Sequence, residues 1–238
     1  MTKDTLEAIK AALAVATLDE RRRVFENLRK EFSVHELEQK WNVSAEVVLE
    51  AIARATDLTQ RGLRGVIAEA TFRNQVVAPL VAAGWQDNTP AGDIPFDYSV
   101  EDAAGRVRVQ VKNQRSERKV PKLWKGNAGV FVVETQKTRA GKDKGGKDTR
   151  PYRFGEFDIL AVCLHPSTGK WEDFLYTVGN WLLPRKGDKK LVAVLQPVDP
   201  GAKQDWTPDF ATAVSWYRAA KKKTIAAPSK APRARKPK

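Results

Sequence analysis

Apolar residues recur along this chain in two rhythms. Up to about residue 83 they return every three to four positions, the helical period. From about residue 94 they alternate with polar ones or form short unbroken runs, as strands do. Two Ser/Thr-x-x-Glu boxes, at residues 17–20 and 33–36, mark helix starts. A longer helical pattern covers residues 63–83, with Val66, Phe72 and Val76 on an apolar side, Gly84 as a stop and Pro79 as a kink or split. Glu69 falls among those apolar positions, where it either needs a partner or sits at a solvated border. Strands are predicted at 94–101, 106–113, 129–134, 157–164 and 171–177, and a helix near 209–221 carries Phe210, Val214 and Tyr217.

The first two strands read as a hairpin turning through Asp102, Ala103, Ala104 and Gly105. If Glu101 faces Arg106, Ser99 faces Arg108 and Asp97 faces Gln110. Alternation then puts Asp97, Gln110 and Lys112 on one face. Phe96, Tyr98, Val100, Val107, Val109 and Val111 take the other, a core face. An acid, an amide and a lysine meeting at the edge of a buried sheet form a cluster that can hold a metal ion and a phosphate. The plainer alternative is an ordinary Asp97–Lys112 ion pair on a solvated strand.

Ahead of the hairpin, residues 33–52 resemble a helix-turn-helix. Leu37, Trp41, Val43, Val48 and Ile52 take the apolar positions, Asn42 the turn and Ser44 the cap of the second helix. Glu38 stands where a small residue normally packs between the helices. The unit serves either to contact DNA or as a plain helical hairpin for packing or dimerisation.

Composition narrows the partner. The net charge is +13 over 238 residues, which favours a polyanion. Residues 221–238 hold eight Lys or Arg and no acid, so they supply eight of those charges and are expected to be disordered. The remaining body is only mildly basic, which moves the weight from charge to motif. No apolar run is long enough to span a bilayer and no signal peptide is evident. The single cysteine, Cys163, cannot form an internal disulfide, which fits a cytoplasmic protein. With one cysteine and two distant histidines, His35 and His165, a structural zinc site is not expected. There is no Walker-type phosphate loop or dinucleotide fingerprint.

A helix bearing Glu69, a strand with Asp97, a strand with Gln110-Val111-Lys112, then a helix and a strand: this order resembles the PD-(D/E)xK nuclease superfamily, and type II restriction endonucleases in particular. The similarity spans roughly residues 63–177 and includes the segment from Arg150 to Val162. Two departures stand out. Pro95 and Phe96 precede Asp97, so the Pro-Asp dipeptide is missing, and Gln110 replaces the usual acid. The resemblance implies an α/β, restriction-endonuclease-like mixed β-sheet core flanked by helices, with an N-terminal helical domain. Residues 1–60 would be that helical domain, 61–220 the nuclease domain and 221–238 the basic tail. It further implies Mg²⁺, with Mn²⁺ as substitute, held by Asp97, Gln110, the Val111 carbonyl and Glu69. Lys112 would steady the attacking water and the charge on the phosphate. Arg115, Lys119 and Lys122 after the catalytic strand, with Lys142, Lys144, Lys147 and Arg150 in a Gly/Lys-rich loop, would contact DNA. The expected activity is sequence-specific cleavage of double-stranded DNA by a homodimer. The alternatives are a recombination, transposition or repair endonuclease, or a non-catalytic helix-turn-helix DNA-binding protein.

Overall fold

The computed structural model describes residues 2–31, 36–118, 120–137, 141 and 149–231. Two compact units divide the chain, Met1–Arg61 and Gly62–Lys238. The first holds helices α1 (Lys3–Val15), α2 (Leu18–Glu31), α3 (Glu36–Trp41) and α4 (Ala45–Arg54). The box at Thr17 forms in both directions. The Thr17 N–H donates to Glu20 Oε2 at 2.8 Å, and the Glu20 N–H donates to Thr17 Oγ1 at 3.3 Å. The second box lies partly outside the described residues, since Ser33 and His35 are not among them. Asn42 takes the left-handed conformation expected of it, with φ +49°. Ser44 occupies the N-cap of α4 without a side-chain bond. Glu38 instead receives the Ala45 N–H at 2.8 Å, which explains an acid at a position where a small residue was expected. Leu37 and Trp41 are exposed, and α1, α3 and α4 contain no buried residue.

Helix α5 (Asp57–Phe72) continues through a single π-helical stretch, Arg73–Val77, into α6 (Ala78–Ala82). The α-helix expected to kink or split at Pro79 is thus interrupted just ahead of it by π geometry, with helical backbone on both sides. The π turn closes with the Ala78 N–H on Arg73 O, one residue longer than an α turn, and Pro79 follows at the start of α6. The chain stops at Gly84, whose φ of +97° a Cβ would strain. The buried side runs through Ala68, Phe72 and Val77; Val66, expected on it, is 58% exposed.

A five-stranded mixed sheet follows, ordered β1 (Gln86–Asp87), β2 (Tyr98–Asp102), β3 (Gly105–Asn113), β7 (Ile159–Cys163) and β8 (Phe174–Val178). All neighbours are antiparallel except β3 and β7, which run parallel, with Val109 opposite Ile159. The β2–β3 register is as expected: Glu101 with Arg106, Ser99 with Arg108. Asp102 pairs with Gly105, so the turn itself is only Ala103-Ala104. In the crossover from β3 to β7 the sequence reading placed a helix. Among the described residues this stretch holds instead β4 (Ser116–Glu117), β5 (Val120–Pro121), a 3₁₀ turn at Trp124–Gly126 and β6 (Phe131–Glu134). The strand predicted at 129–134 lies outside the main sheet and pairs with β11 (Leu195–Val198). β9 (Pro184–Arg185) and β10 (Asp188–Val192) form another small hairpin, and α7 (His165–Thr168) is a single turn between β7 and β8.

Both faces of the sheet are covered. On one, Val100, Val107, Val109 and Val111 meet Phe72, Val77 and helix α8 (Phe210–Arg218) through Phe210 and Val214. On the other, Leu160 and Val162 meet Phe157, Trp181, Val198 and Trp206. β3 is thus central rather than an edge, and its polar face is roofed. Phe96, expected among the valines, packs in the second cluster.

Of the segment expected to be a disordered tail, residues 221–231 make specific contacts with the body, and residues 232–238 lie outside the described ones. Ile225 is 2% exposed and its N–H donates to Trp181 O. The Trp181 indole donates to Lys221 O and the Trp124 indole to Pro228 O. Lys223 pairs with the buried carboxylate of Asp205, which also accepts the Ala226 N–H. Composition alone suggested a solvated polycation; one isoleucine and a set of paired backbone groups hold the segment down.

Candidate active site

Asp97 precedes β2 by one residue. Its N–H donates to Val109 O at 2.9 Å, the residue that Tyr98 already faces, so the regular ladder ends at Tyr98 and Asp97 meets Gln110 through its side chain. Asp97 Oδ2 accepts the Val111 N–H at 2.7 Å and the Gln110 side-chain amide. Gln110 is 2% exposed. Its Nε2 also donates to Val111 O at 3.1 Å, while its Oε1 accepts the Tyr152 hydroxyl at 3.0 Å. The amide orientation is dictated by its neighbours. Turned over, Oε1 would face two acceptors, Asp97 Oδ2 and Val111 O.

Lys112 projects from the same face of β3 two residues on. Its ammonium lies 5.6 Å from the centroid of the Tyr152 ring, with the Lys137 ammonium 5.4 Å from that centroid. Glu69 approaches from α5, held in place by the Tyr98 hydroxyl on its backbone carbonyl at 2.8 Å and by Phe72 one turn on. The structure thus brings Asp97, Gln110, Lys112 and Glu69 together.

Their ionisation is coupled. Burial pushes the Glu69 carboxyl up to about 7, the Asp97 charge adds to the rise, and Lys112 opposes it. Burial raises Asp97 too, against Lys112, the Val111 N–H and the Gln110 amide. Burial lowers Lys112, against the carboxylates of Asp97, Glu69 and Glu134. Asp97 and Lys112 are therefore not an ordinary solvated ion pair. The carboxylate is engaged by amides, the ammonium by an aromatic ring, and both lose hydration.

Among the described residues no three acidic, histidine or cysteine side chains converge as a metal cage. The oxygen set is smaller: two carboxylates, the Val111 carbonyl and the Gln110 amide. Gln110 Nε2 already lies within hydrogen-bond reach of both Asp97 Oδ2 and Val111 O, so one small centre can touch both oxygens. Hard oxygen donors with two raised carboxyls suit a small divalent cation that keeps part of its water. The residues present fit such an ion.

The basic residues divide. Arg115 bonds Glu134 Oε2 at 2.8 Å and Glu117 Oε1 at 3.2 Å, and Lys122 bonds Glu117 at 2.6 Å. Both flank the β4–β5 hairpin that follows β3, closed by the Lys122 N–H on Arg115 O. Arg150 belongs to the neck of the Gly/Lys-rich loop. There Lys137 N–H meets Arg150 O, and Gln136 pairs with Pro151. Lys119, Lys142, Lys144 and Lys147 lie outside the described residues. The neck leads directly into Tyr152, so that loop is rooted beside Gln110. Sequence reasoning missed Tyr152, Lys137 and Glu134. Tyr152 stood in a segment already noted for its resemblance, but nothing local ties its hydroxyl to Gln110.

No protein-family model matches the chain, and no curated protein sequence matches it. Among solved structures it is similar to a bacterial homing endonuclease, I-Ssp6803I. The identity is 22% and the TM-score 0.36, over 68% of this chain and 98% of that one. A likeness of that size leaves the chemistry to be read from the side chains. No helix among the described residues is long and apolar enough to cross a membrane.

Proposed function

We propose that this chain is a metal-dependent endonuclease that hydrolyses phosphodiester bonds in double-stranded DNA. One observation carries the reading: Asp97 Oδ2 takes the Val111 N–H and the Gln110 amide at one end of the central strand, with Lys112 on the same face and Glu69 beside them, and burial disfavours the charged forms of both acids and of the lysine. Titratable groups perturbed together by burial and by one another mark candidate functional sites.

Asp97, Glu69, the Val111 carbonyl and Gln110 would hold the cation. Bound Mg²⁺ would supply charge neutralisation at the phosphate and a more acidic water. Asp97 fixes the oxygen cluster through the Val111 N–H. Lys112, a compact point charge, orients the nucleophilic water and offsets negative charge developing on the phosphate. Arg115, Lys122 and Arg150, with Lys119, Lys142, Lys144 and Lys147, would hold the duplex backbone. The finer reading is a type II restriction endonuclease; cutting both strands of a symmetric site then calls for a homodimer.

The test is a gel of unmethylated phage DNA incubated with the protein in Mg²⁺ or EDTA, beside Asp97→Ala and Lys112→Ala. Discrete fragments that need Mg²⁺ are expected, with either variant slowed about a hundredfold or more. Cleavage only of branched DNA would move the reading to a repair enzyme. A mobility shift without cleavage in any metal, unchanged in both variants, would make this a DNA-binding protein. The neutral Gln110 in place of a third acid is what favours that second reading.

A further inference from the structure

Tyr152 is 3% exposed and lies between the neck of the basic loop and β7. Its ring packs edge-on against Phe157 at 5.2 Å, and its carbonyl accepts the Val192 N–H at 2.9 Å, so backbone and ring are both fixed. Its hydroxyl meets Gln110 Oε1 at 3.0 Å. We propose that Tyr152 is the positioning residue that lets an amide serve where a carboxylate would otherwise bind the cation. The proposal rests on the reading that a divalent cation sits at Asp97.

In the observed arrangement Tyr152 donates to Oε1, and Nε2 donates to Asp97 Oδ2 and Val111 O. A cation at those two oxygens cannot share them with an N–H group. Half a turn of the amide about its last bond exchanges its two ends. Oε1 then faces the cation and Nε2 faces Tyr152. A hydroxyl donates or accepts equally well, so the same oxygen that donated to Oε1 now accepts from Nε2. The Gln110–Tyr152 hydrogen bond is kept in either orientation. A phenylalanine would serve neither. A carboxylate at this position would need no such partner, because both its ends are oxygen.

The two orientations are not equally sensitive to loss of the hydroxyl. Without it, the observed orientation leaves a carbonyl underused, whereas the turned one orphans a buried N–H group, which costs more. Tyr152→Phe should therefore weaken cation binding, and should do so only while residue 110 is an amide.

The experiment is calorimetric titration of the full chain with Mn²⁺, without DNA, for wild type, Tyr152→Phe, Gln110→Glu and the double variant. Tyr152→Phe is expected to weaken Mn²⁺ binding about tenfold in the wild-type background and less than about twofold in Gln110→Glu. Equal weakening in both backgrounds would make Tyr152 a purely structural residue and overturn the proposal, as would no weakening in either. Absence of Mn²⁺ binding by the wild type would sink the cation reading along with it. A second readout needs no substitution at Tyr152. The Gln110 side-chain amide resonance, identified by its loss in Gln110→Glu, should shift on addition of Mg²⁺. A resonance that stays put overturns the turning amide.

Discussion

Glu69, together with the raised Asp97, shapes how the metal-free protein responds to pH. Its carboxyl lies at about 7 in the folded chain against an ordinary 4.5, chiefly through burial. Between those values the folded state keeps a proton that the unfolded state has released. The stability attached to it is present at low pH, falls as pH rises through that window and levels off above it. Thermal melts of the EDTA-treated protein from pH 4 to 8 should show this decline, and Glu69→Gln should make it shallower; a variant with the wild-type slope would assign the titration elsewhere. The same charges bear on Gln110. A third acid beside Asp97 and Glu69 would add like charge where two carboxyls are already held back from ionising.

Among the elements, β3 and α5 do the positioning. On β3, valines at 107, 109 and 111 go to one core while Gln110 and Lys112 point to the other side, so burial of one row fixes the direction of the other. On α5, Phe72 is fully buried in a ring of Tyr98, Phe174, Tyr176 and Phe210, with centroids 5.4–6.3 Å away. Phe72→Ala should cost about 3–5 kcal/mol, read from urea melts, and a loss under 1 kcal/mol would mean the helix is anchored elsewhere. Much of this was legible in the chain. The hairpin register and the sharing of a face by Asp97, Gln110 and Lys112 followed from alternation, which is local. Three things were not. The parallel partner of β3 is set by long-range burial that leaves no mark beside β3. Val66 fits the helical period yet lies outside the stripe defined by Ala68 and Phe72. Tyr152 reaches Gln110 through tertiary structure alone.

At the scale of the whole molecule, residues 221–231 are the clearest case of tertiary structure overriding composition. Lys223 compensates Asp205, which is otherwise buried beside Trp206. Lys223→Ala should cost about 1.5–3 kcal/mol in denaturant melts; a change within about 0.5 kcal/mol would show that the Ala226 N–H suffices for that carboxylate. A further consequence follows from the one parallel pairing in the sheet. β2 can find β3 across two residues of turn, within microseconds of meeting. β3 can find β7 only after the whole crossover has been arranged, a contact of high order whose loop entropy must be met before it stabilises anything. Tyr152 is delivered to Gln110 by that same crossover. The Tyr152–Gln110 contact therefore depends on a longer loop closure than the hairpin does, and a chain whose crossover has not formed carries the acids and the lysine without it. Loss of that closure alone would leave Gln110 Oε1 without its Tyr152 partner while the hairpin stands.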